Sequence, residues 1–262
     1  MRLSARRVRA AAKPDVGEPI HLHAIKQRAI DAAFERVGAK SFADLGGVWA
    51  VEAGYTFYAL ARHPVERAVL VDTGITDAVR QRAQRDHRLR LLEASFGAVE
   101  TPSEVGVVDA VFLFDVLLHQ ADPDWKEIIR RYAAHTKAFV IVQPQYVAGP
   151  DTVRLLDLGR ARYEELVPHT PVHDAAWERL DETHPKYGKP WRDIHEIWQW
   201  GIVDADLDGV CRAEGFELCH YENAGPWNGL AGFENHAFVY VRDAGSTGPA
   251  AVRAPGWAAT GR

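Results

Sequence analysis

The sequence is poor in sulfur. Its 262 residues include two cysteines, Cys211 and Cys219, and one methionine. Two thiols in a chain of this length do not build a disulfide framework or a zinc site. The composition therefore favours a reducing, cytoplasmic setting, and we expect the functional site to hold no metal.

The sequence also lacks a long apolar run and an excess of positive charge. No stretch approaches the ~18 consecutive apolar residues of a membrane span, and the formal net charge is −5. This acidic balance argues against broad binding of nucleic acid, which requires clustered Lys and Arg. The chain opens with one basic run, "RLSARRVRAAAK", but no apolar stretch follows it as in a secretory signal. We expect residues 1–18 to be a basic, disordered arm.

The sequence does contain apolar runs that alternate with segments of helical periodicity. The runs are nearly continuous, as is typical of parallel strands buried on both faces, and helical spacing separates them. Such alternation predicts a doubly wound α/β fold. Strands are predicted at 41–45, 67–74, 88–96, 107–120, 137–145, 216–224 and 234–243.

The chain organisation follows from where this alternation stops. Residues 19–146 are predicted to form the α/β core, and 203–243 to complete a mostly parallel, seven-stranded Rossmann-like sheet. Residues 147–202, after the fifth strand, are rich in His, Trp, Pro and charge and show no strand signal. We expect them to form a cap of helices and loops over the sheet edge. The Gly-, Pro- and Ala-rich tail, 244–262, is expected to be disordered.

Candidate ligand-binding residues stand at the carboxyl ends of the strands, where open α/β sheets bind their ligands. Asp72 follows the second strand, and a carboxylate there accepts hydrogen bonds from two ribose hydroxyls, which indicates an adenosine-type ligand. Gly46 and Gly47 follow the first strand and would let backbone amides approach that ligand. Their spacing does not match the G-x-G-x-x-G of a dinucleotide site. The other strand ends carry Asp44, Ser95, Phe96, Phe114, Asp115, His119, Gln143 and Tyr146.

These residues also have plain structural interpretations. The glycine pair could be only a strand-to-helix turn, and Asp72 could cap the next helix. Asp115 could be a surface or capping acid, and His119 a packed histidine. We favour the functional interpretation, because the structural one requires four independent coincidences at strand ends.

The strand-end segments resemble, in order and spacing, the motifs of the class I S-adenosylmethionine-dependent methyltransferases. "FADLGG" resembles the first motif, "AVLVDTG" the second with its ribose-binding acid, "RLLEASFG" the third, which faces the adenine, and "VDAVFLFDVLLHQADP" the fourth. The resemblance covers residues 20–146 and the last two strands. It implies S-adenosyl-L-methionine as the cofactor, bound by Asp44, Gly46, Gly47, Asp72, Ser95, Phe96, Phe114 and Asp115.

Two departures from the family pattern affect the cofactor motifs. Val48 stands where a further glycine is usual, and residues 48–55 precede the helix. We interpret this segment as a lengthened cofactor loop, with Trp49 and Tyr55 near the sulfonium or the substrate. Ser95 stands where the third motif often has an acid, and its neutral hydroxyl is a weaker acceptor for the adenine amino group. Cofactor affinity would then be modest unless the loop supplies replacement contacts.

The resemblance implies methyl transfer, and we predict a small-molecule acceptor. For an acidic acceptor group a base is useful, and His119 and His195 are candidates because imidazole titrates near physiological pH. A helix that begins near Asp193 would place His195 and Trp198 on one face, with ordinary aromatic packing as the alternative. The predicted substrate residues, which suit a pocket with apolar walls and a few polar groups, are Tyr55, Gln143, Tyr146, Trp198 and Trp200.

Two other functions stay open. An RNA- or tRNA-modifying methyltransferase would use the basic N-terminal run and aromatic side chains that stack on bases, although the acidic net charge opposes it. A non-catalytic cofactor-binding protein of the same fold would explain the altered first and third motifs. The sequence leaves the oligomeric state open.

Overall fold

A seven-stranded sheet is the centre of the fold. The computed structural model describes residues 21–242, so the predicted arm (1–18) and tail (244–262) lie outside the described residues. The strands are β1 Ser41–Leu45, β2 Arg67–Asp72, β3 Leu89–Glu93, β4 Val108–Phe114, β5 Thr136–Tyr146, β6 Val153–Arg154, β7 Trp200–Gly201, β8 Phe216–Pro226 and β9 Phe233–Arg242. The helices are α1 Ala24–Val37, α2 Gly54–Arg62, α3 Asp77–Ala83, α4 Thr101–Val105, α5 Trp125–Ala133, α6 Arg160–Leu166, α7 Pro171–Glu178 and α8 Asp204–Ala213.

The strand order of the main sheet is β3-β2-β1-β4-β5-β9-β8. The strands β1 to β5 are parallel, and β9 runs antiparallel between β5 and β8. This arrangement confirms the predicted mostly parallel, seven-stranded Rossmann-like sheet. The fourth strand is shorter than predicted: it ends at Phe114, because Asp115 adopts a left-handed backbone with φ 55°. Leu117–His119 then form a short 3₁₀ turn.

Both faces of the sheet are covered by helices. On one face α1, α2 and α3 pack against β-strand side chains such as Phe42 and Phe112, whose stacked rings lie 4.7 Å apart. On the other face α4, α5 and α8 bury Trp125 and Tyr132 against Phe139 and its neighbours. Burial on both faces explains why the central strands are almost uniformly apolar in sequence.

Local sequence signals explain where two of these helices begin. The Thr76 side chain accepts a hydrogen bond from the Val79 amide at the start of α3. The Asp124 side chain accepts one from the Glu127 amide at the start of α5. Both caps satisfy an amide that the first helical turn leaves without an intrahelical partner.

The predicted cap differs from expectation in two ways. It contains α6 and α7, but also a two-stranded sheet of β6 and β7 that no strand signal had indicated. The helix predicted to begin near Asp193 is absent from the described cap: Trp191–Asp193 form a 3₁₀ turn, a second turn follows at 195–196, and the chain then reaches β7 without helical structure. The reason is non-local pairing, because the Gln199 amide bonds to Leu118 O and the Gln199 carbonyl to the Leu155 amide.

The cap is attached to the carboxyl ends of β4 and β5. The Tyr146 amide, at the end of β5, donates to Ile202 O at 2.7 Å. The indole of Trp200 donates to Gln120 O at 2.6 Å, just beyond β4. The cap therefore lies at the edge where an open α/β sheet binds its ligands.

Candidate active site

Three carboxylates occupy neighbouring strand ends. Asp44 is the next-to-last residue of β1, Asp72 is the last residue of β2 and Asp115 follows β4, and β1 lies between the other two strands. The most buried of the three is Asp44, which is 1% exposed. The Thr56 hydroxyl donates to its Oδ2 at 2.6 Å, and its Oδ1 has no hydrogen-bond partner among the described residues.

The environment of Asp44 favours its neutral form. Burial raises the pKa of this carboxyl to about 6; the Thr56 hydrogen bond and Lys26 oppose the rise, and the charge of Asp72 adds to it. A buried carboxylate with one unpartnered oxygen is costly. Such an atom is suited to receive a donor from a ligand.

The two glycines after β1 are required by sterics. A Cβ on Gly46, whose φ is +77°, would lie 2.9 Å from Val116 Cγ1 and 3.4 Å from Phe96 Cε1. A Cβ on Gly47 would lie 2.4 Å from Asp44 Oδ2. The turn therefore brings bare backbone close to the carboxylate, which exceeds what a plain strand-to-helix turn needs.

The loop after the glycines holds an unusual backbone. Ala50, Glu52 and Ala53 have φ of 62°, 46° and 57°, in the left-handed region that disfavours residues with a Cβ. Trp49 is 67% exposed, whereas Val48 is buried. Strain of this kind is found mainly at ligand-binding and catalytic sites.

Asp72 ties this loop to the end of β2. Its Oδ2 accepts from the Val48 amide at 3.0 Å, and its Oδ1 accepts from the Gly74 amide at 2.9 Å. Each carboxylate oxygen has a second lone pair. Asp72 thus keeps the capacity to accept from two ribose hydroxyls while it holds the loop.

The third-motif residues lie beside the glycine turn. The Phe96 ring is the nearest group to Gly46 after Val116, and Phe96 O accepts from the Tyr132 hydroxyl at 2.9 Å. The Ser95 hydroxyl accepts from the Gly97 amide at 3.3 Å. Sequence analysis had not singled out Val116, although its position directly after the fourth strand end was a signal.

Lys26 is a further candidate site residue, and sequence analysis missed it. It lies in the first turn of α1, and its Nζ is 2.5 Å from Asp115 Oδ2. The ammonium also lies 5.1 Å from the ring centroid of Tyr55 and 5.6 Å from that of Phe114. The sequence did carry a signal for this lysine. Ala29 and Ala33 stand three and seven residues after Lys26, so Lys26 lies in the apolar stripe of the helix, where a charged residue is unexpected.

His119 connects the strand-end carboxylates to the cap. Its Nδ1 lies 3.0 Å from Ile197 O, and its ring meets Trp198 edge-on with centroids 6.3 Å apart. Burial lowers the pKa of His119, although the Ile197 carbonyl and the Asp115 carboxylate act against this. The ring is therefore neutral near pH 7.

His195 and Trp198 lie near one another but in different surroundings. Trp198 is 8% exposed and packs against Trp227 and Phe233 as well as His119. His195 is exposed and packs edge-on against Tyr187. Nearby protein atoms partly desolvate the His195 ring and lower its pKa, and the carboxylates of Glu196 and Asp72 oppose this.

The remaining predicted substrate residues are packed. Tyr146 lies against Phe233 and directly over Gly201, where a Cβ would be 2.9 Å from its ring. The Trp200 ring lies under the Arg154 guanidinium at 5.5 Å. Gln143 is fully buried, and both of its amide atoms lack a partner within the described part of the chain. The structure gives Tyr146 and Trp200 a role in holding the cap, and their substrate role stays a prediction.

The structure is similar to the 1,6-didemethyltoxoflavin-N1-methyltransferase of Burkholderia thailandensis, solved with 1,6-didemethyltoxoflavin and S-adenosylhomocysteine bound. The TM-score is 0.56 at 14% identity, over 84% of this chain and 78% of that one. A second neighbour is the N-terminal domain of EvdMO1, in the presence of SAH and D-fucose, with a TM-score of 0.51 at 15% identity over 84% of each chain.

A third neighbour is an O-methyltransferase family protein from Burkholderia thailandensis. It has a TM-score of 0.51 at 17% identity, over 85% of this chain and 57% of that one, so this chain spans little more than half of its length. The fold is that of the class I S-adenosylmethionine-dependent methyltransferases. No family model matches the sequence, and no curated protein matches it.

The residues of this methyltransferase fold suit S-adenosylmethionine. The unpartnered Oδ1 of Asp44, the bare backbone at Gly46 and Gly47, and the spare lone pairs of Asp72 all lie at one edge. Within residues 21–242, no helix is long and apolar enough to cross a membrane. In the same range, no three His, Cys, Asp or Glu side chains converge as a metal ion would require.

Proposed function

We propose that this protein is an S-adenosylmethionine-dependent methyltransferase that acts on a small molecule. The observation that carries the proposal is the group of Asp44, Asp72 and Asp115 around a glycine turn that admits no Cβ. These residues occupy the strand ends where the methyltransferase fold holds its cofactor. The similar structures support the proposal, since one is by name a methyltransferase for 1,6-didemethyltoxoflavin and was solved with that small molecule bound.

Each cofactor group has residues suited to it. Asp72 would accept from the ribose hydroxyls, and Ser95 and Phe96 would border the adenine. The backbone at Gly46 and Gly47, together with Asp44, would hold the amino-acid end, with Phe114 and Asp115 beside the methyl-bearing region. When bound, the cofactor supplies an electrophilic methyl group on a sulfonium whose charge is lost on transfer.

His119 is suited to remove a proton from the acceptor. Its Nδ1 faces the Ile197 carbonyl, which only accepts hydrogen bonds, so the neutral ring carries its proton on Nδ1. Nε2 is then the unprotonated nitrogen and would receive a hydroxyl or amide proton as the new bond to the methyl group forms. His195, which is exposed nearby, is the second candidate base.

The cap is suited to a small acceptor rather than to RNA. Trp198 of the cap packs beside His119 together with Trp227 and Phe233 from the β8–β9 segment. The basic run that supports RNA modification lies outside the described residues. Apolar walls with a few polar groups are typical of small-molecule sites.

One experiment separates the three functions. Calorimetry first measures the binding of S-adenosylmethionine, and the absence of binding would reject all three functions, because each of them requires the cofactor. The protein is then incubated with methyl-labelled cofactor and either a low-molecular-mass extract or total RNA. Label in the small-molecule pool is the expected result. Label in RNA alone would replace the proposal with the RNA alternative, and binding without transfer to either pool would favour the non-catalytic alternative.

A further inference from the structure

The Lys26–Asp115 pair is unusual for its position. Lys26 is only 6% exposed and lies in the apolar stripe of α1. A buried ammonium is costly unless it is paired. Here the Asp115 carboxylate, 2.5 Å away, and the ring faces of Tyr55 and Phe114 hold it in place. A leucine would pack in this stripe at no such cost, so packing does not account for the lysine.

The surroundings of Lys26 are rich in negative charge. Its ammonium is close enough to Asp44 to lower the pKa of that carboxyl against the effect of burial. Asp72 lies one strand further along the same edge. A cofactor that carries an α-carboxylate would bring a further negative charge to this edge, and burial of that charge without a cation is unfavourable.

Asp115 itself is held in a strained state. Its φ is 55°, and its Oδ1 is buried without a hydrogen-bond partner in the described structure. Its other oxygen is bonded to Lys26. The backbone amide of His23 donates to the Tyr55 hydroxyl at 2.9 Å, which fixes the start of α1 over this pair. The lysine is thus held at the strand ends by contacts on three sides.

We propose that Lys26 is the counter-ion for the α-carboxylate of the cofactor, positioned by Asp115, Tyr55 and Phe114. This inference rests on the proposed function, because it assumes S-adenosylmethionine as the ligand. The ammonium has three donors, so it can bind a ligand carboxylate while it remains bonded to Asp115. The first turn of α1 would then be part of the cofactor site.

The test compares two ligands on one variant. S-adenosylhomocysteine carries the α-carboxylate, whereas 5′-methylthioadenosine keeps the adenosine and sulfur but has no amino-acid end. In K26M, calorimetry is expected to show S-adenosylhomocysteine binding at least about tenfold weaker, as for the loss of a charged hydrogen bond. Binding of 5′-methylthioadenosine is expected to stay unchanged.

Two controls accompany K26M. K40M removes the exposed Lys40–Glu66 ion pair, far from the strand carboxyl ends, and should bind both ligands like the wild type. K26R keeps the positive charge and should recover part of the affinity for S-adenosylhomocysteine. If K26M does not fold in a thermal melt, K26M/D115N, which leaves no unpaired carboxylate, is compared instead with D115N, so that the two proteins differ only at Lys26.

The outcomes are distinct. Equal affinity of folded K26M and wild type for S-adenosylhomocysteine overturns the inference. Tighter binding of S-adenosylhomocysteine by K26M also overturns it, because the Lys26 side chain would then block the ligand site instead of binding the ligand. Equal weakening of both ligands means damage to the pocket rather than loss of a counter-ion, and rejects it too. If the wild type binds neither ligand, the proposed function itself fails.

Discussion

Asp44→Asn tests whether the site is maintained at a cost in stability. Burial raises the pKa of Asp44 from 3.8 to about 6, so the folded state holds a proton that the unfolded state releases between these values. Stability must therefore fall as pH rises through this range. One pKa unit corresponds to 1.36 kcal/mol, so the full cost at pH 8 is about 3 kcal/mol. Asparagine has the same shape, still accepts from Thr56, and does not ionise.

The measurement is urea unfolding of both proteins at pH 5 and pH 8, followed by tryptophan fluorescence. About half of this cost arises between pH 5 and pH 8. The free energy of unfolding of the wild type should therefore fall by about 1.5 kcal/mol relative to that of D44N over this range. At pH 8 calorimetry should show weaker S-adenosylmethionine binding by D44N. A more stable variant with a poorer site is the expected combination.

Asp109→Asn is a control of opposite sign. Asp109 lies at the amino end of β4, and although burial opposes it, the partners Lys137, Lys40 and Ser41 lower its pKa. Its contribution is fully present above the unfolded pKa of 3.8 and is lost as pH falls through the lower folded value, so D109N should be destabilised equally at pH 5 and pH 8 and less at pH 3. If D44N and the wild type show parallel pH dependence while D109N behaves as expected, the argument about Asp44 is refuted.

Four further predictions concern the strand ends. Gly47→Ala should destabilise the fold by about 1–3 kcal/mol and abolish cofactor binding, because its Cβ meets Asp44 at 2.4 Å; a stable, binding variant in urea unfolding and calorimetry would show that the turn relaxes freely. Ala50→Gly should stabilise the protein by about 1 kcal/mol in the same unfolding assay, because its φ is 62°; a destabilised variant contradicts the strain. Asp72→Ala should weaken S-adenosylmethionine by about 1.5–3 kcal/mol in calorimetry, and unchanged affinity removes Asp72 from the site. His119→Gln should lower kcat on the labelled acceptor by about 10²–10⁴-fold and leave cofactor affinity unaltered; equal losses in both would indicate a structural role.

The sheet could be predicted because each of its central strands is visible in the sequence as a short apolar run. An apolar run such as Val69–Val71 is buried on both faces only at the centre of a parallel sheet. The point where each apolar run stops then locates the residue at the strand end, such as Asp72. The cap could not be predicted in the same way. The extended segment around Gln199 owes its conformation to bonds with Leu118 and Leu155, which lie far away in sequence.

Lys26 shows a second limit and a way around it. Periodicity assigns α1 correctly but treats every position of its buried stripe alike. The lysine in that stripe breaks the pattern, and the structure shows that it reaches a carboxylate at the end of β4. A sequence-based search for charges at apolar positions would have found it.

Several features that each destabilise a fold lie together at one edge of the sheet. Asp44 is a buried acid with an unpartnered oxygen, and Asp115 is an aspartate in the left-handed region. The loop 50–53 holds three further residues with positive φ. Lys26 is a charge in an apolar stripe. Each feature costs stability alone, and all four converge on the carboxyl ends of β1, β2 and β4. Selection for folding would remove such features one by one, so their concentration at this edge indicates selection for a ligand.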